Sequence, residues 1–458
     1  MIRANHPLLI AAEVVSARQP FRAVKGLLSA YCAYPFAEHR EGRKIRPKLV
    51  ELRKHYDLSI AERMAVARRR LFESVEYARC NVPYYKDVMA CLNFDPEKLS
   101  RDVRYLEDLP FLTKEIIREQ GDRMLAWPLA GTRHHACKTG GSTGLSCVIY
   151  YDQDAADYSA AVTLYARERA GKKKCRSELH FACRFPDEAE PQWPTREDLK
   201  CFAMNRSNIF FDRVDDDGLE RIWRTLKRRR PYLVHGHPST IYALACYIER
   251  AYGRSHAFSV FESSGELLEG YMREKIAQVL QCRVIDRYGL AELGVMAYQT
   301  VRNDPLMHVF ESEGWPECRR MDSGVSELVF TSFRNRLMPL LRYATGDIGN
   351  VVLQDDGLVL TDVIGRIHDV VSINGVPHLT HHVQDMLDHR VGGIQEFQID
   401  LRFNPPVLRI VPEALASTAE IAAKVEHYWP GAFKIDFVIH DDFIRVGRRA
   451  KFRHVVTV

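Results

Sequence analysis

Lys138-Thr139-Gly140-Gly141-Ser142-Thr143-Gly144-Leu145-Ser146 is the stretch from which the fold is read. The texture turns to strand from about residue 134, and the β-favouring run Cys147-Val148-Ile149-Tyr150-Tyr151 follows the loop. Gly140, Gly141 and Gly144 let the backbone turn tightly and aim successive N–H groups at an anion. Thr139, Ser142 and Thr143 add hydroxyl donors. No Gly-Lys-Ser/Thr follows at the required spacing, so this is not a Walker A loop. Taken alone, the stretch reads as well as a structural hairpin as it does as a phosphate cradle.

Upstream, Ile60, Met64, Val66, Ala67, Leu71 and Val75 recur at helical spacing. That helix is expected to stop at Asn81-Val82-Pro83, because proline disfavours a helical residue before it. Thr113 is the expected N-cap of a helix opened by Ile116 and Ile117. Downstream, helices alternate with short apolar strands. A helix with Leu219, Ile222, Trp223 and Leu226 precedes Tyr232-Leu233-Val234. Another with Tyr271, Ile276 and Val279 precedes Val284-Ile285. Such alternation indicates an α/β sheet. Leu328-Val329-Phe330, Leu337 to Leu341 and Val351-Val352-Leu353 read as a β-rich region. Beyond Gly365-Arg366, strands over Phe397–Leu401 and Val407–Val411, a helix over Thr418–Tyr428 and a strand over Phe433–Ile439 predict a small α+β lobe.

Composition sets the class. The 458 residues allow two or three cores, with 46% hydrophobic and 27% charged residues, as in ordinary globular chains. A formal charge of +5 gives no support for nucleic-acid binding. Eleven cysteines, an odd number without a Cys-x-x-Cys pair, argue against a disulfide framework or zinc ribbon. The apolar stretch Leu8-Leu9-Ile10-Ala11-Ala12 is too short for a signal peptide, and nothing reaches the length of a membrane span, so a cytoplasmic location is expected.

Four further segments carry chemistry. In Tyr288-Gly289-Leu290-Ala291-Glu292, Tyr288 suits stacking on a base and Glu292 suits a magnesium ion. The competing reading of this pentapeptide is a strand–turn–helix junction. In Arg342-Tyr343-Ala344-Thr345-Gly346-Asp347, a carboxylate after a glycine turn suits ribose hydroxyls, although an Asp stabilising a β-turn would look the same. Gly365-Arg366-Ile367-His368-Asp369 and the basic tail Gly447-Arg448-Arg449-Ala450-Lys451-Phe452-Arg453 complete the series.

In this order the segments resemble the adenylate-forming superfamily of acyl-CoA ligases, luciferases and adenylation domains. They are most similar to its phenylacetate–CoA ligase-like branch, which includes capsule-biosynthesis proteins. Ala78-Arg79-Cys80-Asn81-Val82-Pro83-Tyr84-Tyr85 and Leu109-Pro110-Phe111-Leu112-Thr113-Lys114 fit that branch, and the resemblance runs from about residue 60 to the end. It implies a large N-terminal domain over 1–366, with α/β subdomains, a β-rich subdomain and a mainly helical entry region over 1–133. A small mobile α+β C-terminal domain over 367–458 would follow. The implied reaction is ATP-dependent formation of an acyl adenylate with loss of pyrophosphate, then acyl transfer to CoA. Transfer to a carrier-protein phosphopantetheine, an amine or a sugar, and a non-catalytic nucleotide-binding homologue, are the alternatives.

The resemblance also implies the roles. Thr139, Gly140, Gly141, Ser142, Thr143 and Gly144 would hold the ATP phosphates. Ser264, Gly265 and Glu266 would line the adenine, with Tyr288 and Gly289 beside it. Glu292 would bind Mg2+, and Asp347 the ribose, with Arg366 nearby. His368 falls at the hinge, and Lys451 would reach the α-phosphate. His235, His237, Pro238 and Ser239 lie where the family lines the acyl pocket. A homodimer is compatible with this reading; a nucleic-acid ligase, which needs Lys-x-Asp-Gly, is not.

Departures from the family pattern are Leu145 and Ser146 where Lys and Pro are common, Ala291 in place of Thr, and Ala450 in place of Gly. Some relatives carry a Cys/His zinc site; here His308 and Cys318 are present but Gln299 replaces an expected cysteine, which disfavours it. His378, His381 and His382 have metal-like spacing and read more simply as a polar loop or helix start. The runs Lys172–Lys174 and Lys227–Arg230 read as solvated surface, with the 3′-phosphate of CoA as another use.

Overall fold

The computed structural model describes residues 20–138, 147–183, 195–211, 214–300, 306–321, 326–364, 370–413, 415–439, 442–446, 451–452 and 454–456. The loop from Thr139 to Ser146, Arg366, His368 and Ala450 lie outside the described residues, and Lys451 is described in its backbone. In chain order the first strands are β1 (His134–Lys138), β2 (Val148–Asp152), β3 (Glu178–Cys183), β4 (Arg206–Phe211), β5 (Leu233–Gly236), β6 (Val260–Ser263) and β7 (Arg283–Leu290). Then come β8 (Gly294–Gln299), β9 (Met307–Val309), β10 (Gly314–Arg320), β11 (Ser326–Ser332), β12 (Tyr343–Gln354) and β13 (Gly357–Ile364). The fold is α/β, as the alternation of elements predicts. Among the described residues no helix is long and apolar enough to cross a membrane.

The chain forms two compact units. One comprises Arg43–Arg169 and Arg287–Gly365. Its long helix Ile60–Asn81 starts at a capping box, Ser59 with Glu62, and ends where Val82 turns extended before Pro83. The helix Lys114–Gln120 has Thr113 as N-cap, its side chain accepting from the Ile116 N–H. β1 and β2 form an antiparallel pair that flanks the glycine-rich loop. β7 to β13 are antiparallel in the order β10-β11-β12-β13-β9-β8-β7.

Two expectations fail in this unit. Leu337 to Leu341 form no strand. Leu337, Met338, Leu340 and Leu341 are buried in a core with Leu71, Val75 and Tyr85, so the run is apolar because it is enclosed. Pro339 removes a ladder donor at its centre, and its carbonyl accepts from the Tyr85 hydroxyl at 3.1 Å instead. The segment Tyr288 to Glu292 is not a strand–turn–helix junction either. β7 runs on through Leu290 and pairs antiparallel with β8, so Tyr288 and Gly289 sit inside a strand.

The other unit comprises Met1–Gly42, Ala170–Asp286 and Arg366–Val458. Its sheet is parallel in the order β4-β3-β5-β6-β7. Side chains alternate across it. Leu179, Ile209, Val234, Phe261 and Val284 face a core built with the helices Asp216–Arg229, Pro238–Tyr252 and Gly270–Leu280. Their neighbours in register on the opposite face are polar: His180, Asn208, His235 and Glu262.

The C-terminal lobe has its own sheet and core. Its strands are β14 (Val370–Ile373), β15 (Val376–Leu379), β16 (Ile394–Asp400), β17 (Val407–Pro412), β18 (Lys434–Phe437), β19 (Arg445–Val446), β20 (Lys451–Phe452) and β21 (Val455–Val456). The main sheet has the order β18-β17-β16-β21. The helix Thr418–Tyr428 lays Ile421 and Val425 against Phe397, Ile399 and Leu408. Lys451 opens β20, which pairs with β19 through Val446.

Candidate functional site

Two groups of predicted site residues take shape, one in each unit. The first centres on Glu292, in the tight connection between β7 and β8. Its side chain is 5% exposed, and Oε1 accepts from the Tyr343 hydroxyl at 2.9 Å. The Lys114 ammonium, equally buried, lies 3.5 Å from the same oxygen. Backbone pairing delivers Lys114 there: Leu112 N–H donates to the Arg342 carbonyl at 3.0 Å, and Ala344 N–H to the Leu112 carbonyl at 2.9 Å. A buried carboxylate needs such partners, because desolvation costs several kcal/mol per unpaired ion. The Tyr151 hydroxyl donates to the Ala291 carbonyl and pins the same turn.

Asp347 follows Gly346, whose φ of +80° marks a left-handed turn at an irregularity between β11 and β12. Its Oδ2 accepts from the Tyr288 hydroxyl at 3.0 Å, and its N–H donates to Thr345 Oγ1 at 3.1 Å. Three strands separate β7 from β12 in the sheet, so the sheet curls to bring these side chains together. Tyr288 is buried and stacks on Phe330, with ring centroids 6.1 Å apart. Burial, then the neighbouring carboxylate, holds the hydroxyls of Tyr288 and Tyr343 well above the usual tyrosine range. Both remain proton donors to their carboxylates at neutral pH. A cavity of about 280 Å³ opens beside Glu292, walled by His135, Cys137, Tyr151 and Ser159.

The second group lies at the C-terminal ends of β5 and β6, the end of a parallel sheet where α/β folds take ligands. Gly236 ends β5, and His237 and Pro238 start the helix Pro238–Tyr252. Ser264-Gly265-Glu266 turns out of β6, with Gly265 at φ +85°. A Cβ on Gly265 would stand 2.7 Å from the His237 ring, so only glycine lets the turn lie against that imidazole. Glu266 Oε2 accepts from the Ser239 N–H at 3.1 Å, supplying the helix N-terminus with a negative charge. His235 Nδ1 lies 2.8 Å from Glu262 Oε1, and its ring is 4.9 Å from that of His180, which lies 3.2 Å from Glu178.

The structure thus groups Tyr288, Gly289, Glu292 and Asp347 in one unit, and His235, His237, Pro238, Ser239, Ser264, Gly265 and Glu266 in the other. Lys114, Tyr343, His180, Glu178 and Glu262 escaped the sequence reading as site residues. Their only local signals were Lys114 directly after a capping Thr, and charged residues alternating within the apolar strands β3 and β6. Among the described residues no cluster of His, Cys, Asp and Glu is arranged to hold a metal by itself.

No protein-family model matches the chain. It is 24% identical to protein CapK of Staphylococcus aureus over 318 residues, covering 66% of this chain and 68% of CapK. It is 26% identical to a phenylacetate–coenzyme A ligase of Pseudomonas putida over 329 residues, covering 67% and 71% of the two chains. Among solved structures, 2-hydroxyisobutyryl-CoA ligase with its acyl adenylate and CoA in the thioesterification state aligns with a TM-score of 0.56 at 18% identity. That alignment covers 87% of this chain and 90% of the ligase. An open form of the same ligase gives 0.53 at 18% identity, covering 88% and 93%. With the ordered motifs, these matches support a relationship to the adenylate-forming superfamily, on the side of its phenylacetate–CoA ligase-like branch.

Proposed function

We propose that the chain activates a small carboxylic acid with ATP and passes the acyl group to the thiol of CoA. A carboxylate oxygen attacks the α-phosphorus, the bond to pyrophosphate breaks, and an acyl adenylate remains. The thiol sulfur then attacks the acyl carbonyl, AMP leaves, and the thiol gives up its proton. The observation that carries this reading is the pair of tyrosine-held carboxylates, Glu292 with Tyr343 and Asp347 with Tyr288. Asp347 would accept from two ribose hydroxyls, its orientation fixed by Tyr288. The turn Ser264-Gly265-Glu266 would border the adenine, and His235 to Ser239 the acid. Thr139 to Gly144 would cradle the β- and γ-phosphates, and Lys451 would meet the α-phosphate.

Magnesium fits the donor set. Among the described residues both contacts to Glu292 fall on Oε1, and the carboxylate borders a cavity, which leaves Oε2 for a hard cation. When bound, the ion would neutralise phosphate charge as pyrophosphate leaves. Lys114 would balance the Glu292 charge and aim the carboxylate, and Tyr343 would fix its rotamer.

Pyrophosphate–ATP exchange with a panel of acids tests the reading. Exchange that needs both an acid and Lys451 is expected. ATP binding without exchange for any acid would replace it with a non-catalytic nucleotide binder, and AMP-forming transfer to a carrier protein, amine or sugar but not to CoA would replace the acceptor.

A further inference from the structure

A second cavity, of about 1580 Å³, opens at the N-terminal ends of the parallel strands, where Ser177, Arg206, Tyr232 and Ser259 lead into β3, β4, β5 and β6. This is the opposite end of the sheet from His237 and Ser264. One of the basic runs of the sequence ends here in Arg228, Arg229 and Arg230, and Arg176 adds a further guanidinium. The helix Pro20–Leu28 adds Arg22 and Lys25. That helix is held close because Gly26 carries no side chain; a Cβ there would stand 2.1 Å from the Cys175 carbonyl oxygen.

Seven cations line the cavity against two carboxylates, and both carboxylates are committed. Glu197 pairs with Arg206 and, at 3.8 Å, with Lys200. Asp198 accepts from the Thr195 N–H at 2.9 Å and its hydroxyl at 2.7 Å, closing the capping box of the helix Arg196–Ala203. Among the described residues, Arg22, Lys25, Arg228, Arg229 and Arg230 have no carboxylate within ion-pair distance. Arg22 is instead anchored on the carbonyls of Arg228 and, at 2.9 Å, Arg229, at the C-terminal end of the helix Asp216–Arg229. This anchor gathers like charges at one place. Both side chains reach solvent, but the partial burial of the Lys25 ammonium, and then the charge of Arg229, pulls its pKa below the usual value; partial burial and Arg228 do the same to Arg229. Cations crowded in this way are relieved by an anion.

We propose that this cavity binds a small molecule carrying two or more phosphate groups, through Lys25, Arg228, Arg229 and Arg230. Several phosphates suit the site because four clustered cations carry more charge than the roughly −2 of one phosphate group balances, and the volume exceeds the roughly 300–1,000 Å³ of ordinary ligand pockets. Arginine suits this use, since its planar fork bonds phosphate oxygens bidentately. The proposal uses none of the residues assigned to adenylation itself, although Arg228, Arg229 and Arg230 lie in the run whose other use in the sequence is the 3′-phosphate of CoA.

The test is calorimetric titration of the full chain with inorganic tripolyphosphate, repeated with Lys25→Glu/Arg229→Glu and with the milder Lys25→Gln/Arg229→Gln. Both positions are solvent-exposed, so the variants should fold, and unchanged pyrophosphate–ATP exchange or an unchanged melting curve checks it. We expect the charge-reversed variant to show one binding site fewer than the wild type, whatever the ATP site contributes. The Gln variant should bind at that site about tenfold more weakly, and salt should weaken the wild-type interaction. Equal stoichiometry and affinity in all three proteins would overturn the proposal. So would tight, charge-dependent binding of an oligonucleotide or of anionic vesicles where tripolyphosphate fails.

Discussion

The Tyr343 hydroxyl and the Glu292 carboxylate are bonded at 2.9 Å in a setting where both side chains are buried, and Lys114 supplies the compensating charge from a helix start 3.5 Å away. Three separate segments therefore meet on one oxygen: the start of the helix Lys114–Gln120, the β7–β8 turn and the start of β12. The arrangement makes Glu292 costly to mutate for structural reasons as well as chemical ones, and the two contributions can be separated.

Tyr343→Phe removes one hydrogen bond to a charged acceptor and leaves Lys114 in place. Such a bond contributes about 1.5–3 kcal/mol. We expect a lower melting temperature and exchange reduced about tenfold, with the KM for acid unchanged. Lys114→Met strips the carboxylate of its counter-charge and should cost more, about 3–5 kcal/mol. Wild-type stability in both variants would mean that Glu292 is not held as described.

Asp347 is held by Tyr288, so a ribose-binding role has a signature that a turn-stabilising role lacks. Asp347→Ala should raise the KM for ATP by at least tenfold, because two ribose hydroxyls lose their acceptor. Tyr288→Phe should produce a smaller rise in the same parameter. An unchanged KM for ATP with lowered stability would leave Asp347 as the stabiliser of the Gly346 turn alone.

Lys451 lies on a two-stranded hairpin with β19 in the C-terminal lobe. A cation that meets the α-phosphate only as charge develops stabilises the transition state and not the bound nucleotide. Lys451→Ala should lower acyl-adenylate formation about 100-fold, roughly 3 kcal/mol, with the ATP dissociation constant within about twofold of wild type. Unchanged acyl-adenylate formation, read by single-turnover assay, would remove Lys451 from the reaction.

These residues also show what the sequence discloses. Helix ends were legible wherever a local device sets them, as at Thr113, at Val82 before Pro83, and in Thr418–Tyr428. Leu337 to Leu341 misled because an apolar run records burial and not hydrogen bonding, and only the tertiary fold decides which partner Pro339 faces. Tyr288 to Glu292 misled for a related reason: the turn after Leu290 does not disclose whether a helix or a returning strand follows. Asp347 was legible as an acid after a glycine turn, and Glu292 as an acid in a segment that follows a strand. Lys114 and Tyr343 were not, since nothing within their own segments reveals a carboxylate that lies 178 and 51 residues away in the chain.

The C-terminal lobe carries its own pH dependence. Asp400, at the end of β16, is fully buried and accepts from Arg402 Nε at 2.9 Å and from Arg409 at 2.8 Å. The hydrogen bonds from Arg402, and then from Arg409, lower its pKa from 3.8 to about 2. A depressed carboxylate pKa means that the unfolded lobe binds the proton more readily than the folded one. Its stabilising contribution is therefore complete above about pH 4 and is lost as the pH falls through 2. The size is about 2 kcal/mol, reduced by solvent at the partly exposed Arg402. Protection of the β16 and β17 amides against hydrogen exchange, taken relative to the intrinsic rate at each pH, should fall on acidification from pH 4 to 2, and Asp400→Asn should be less protected already at pH 5, with little further change on acidification. A variant that keeps the wild-type acid response would show that another group, not Asp400, sets the acid limit of the lobe.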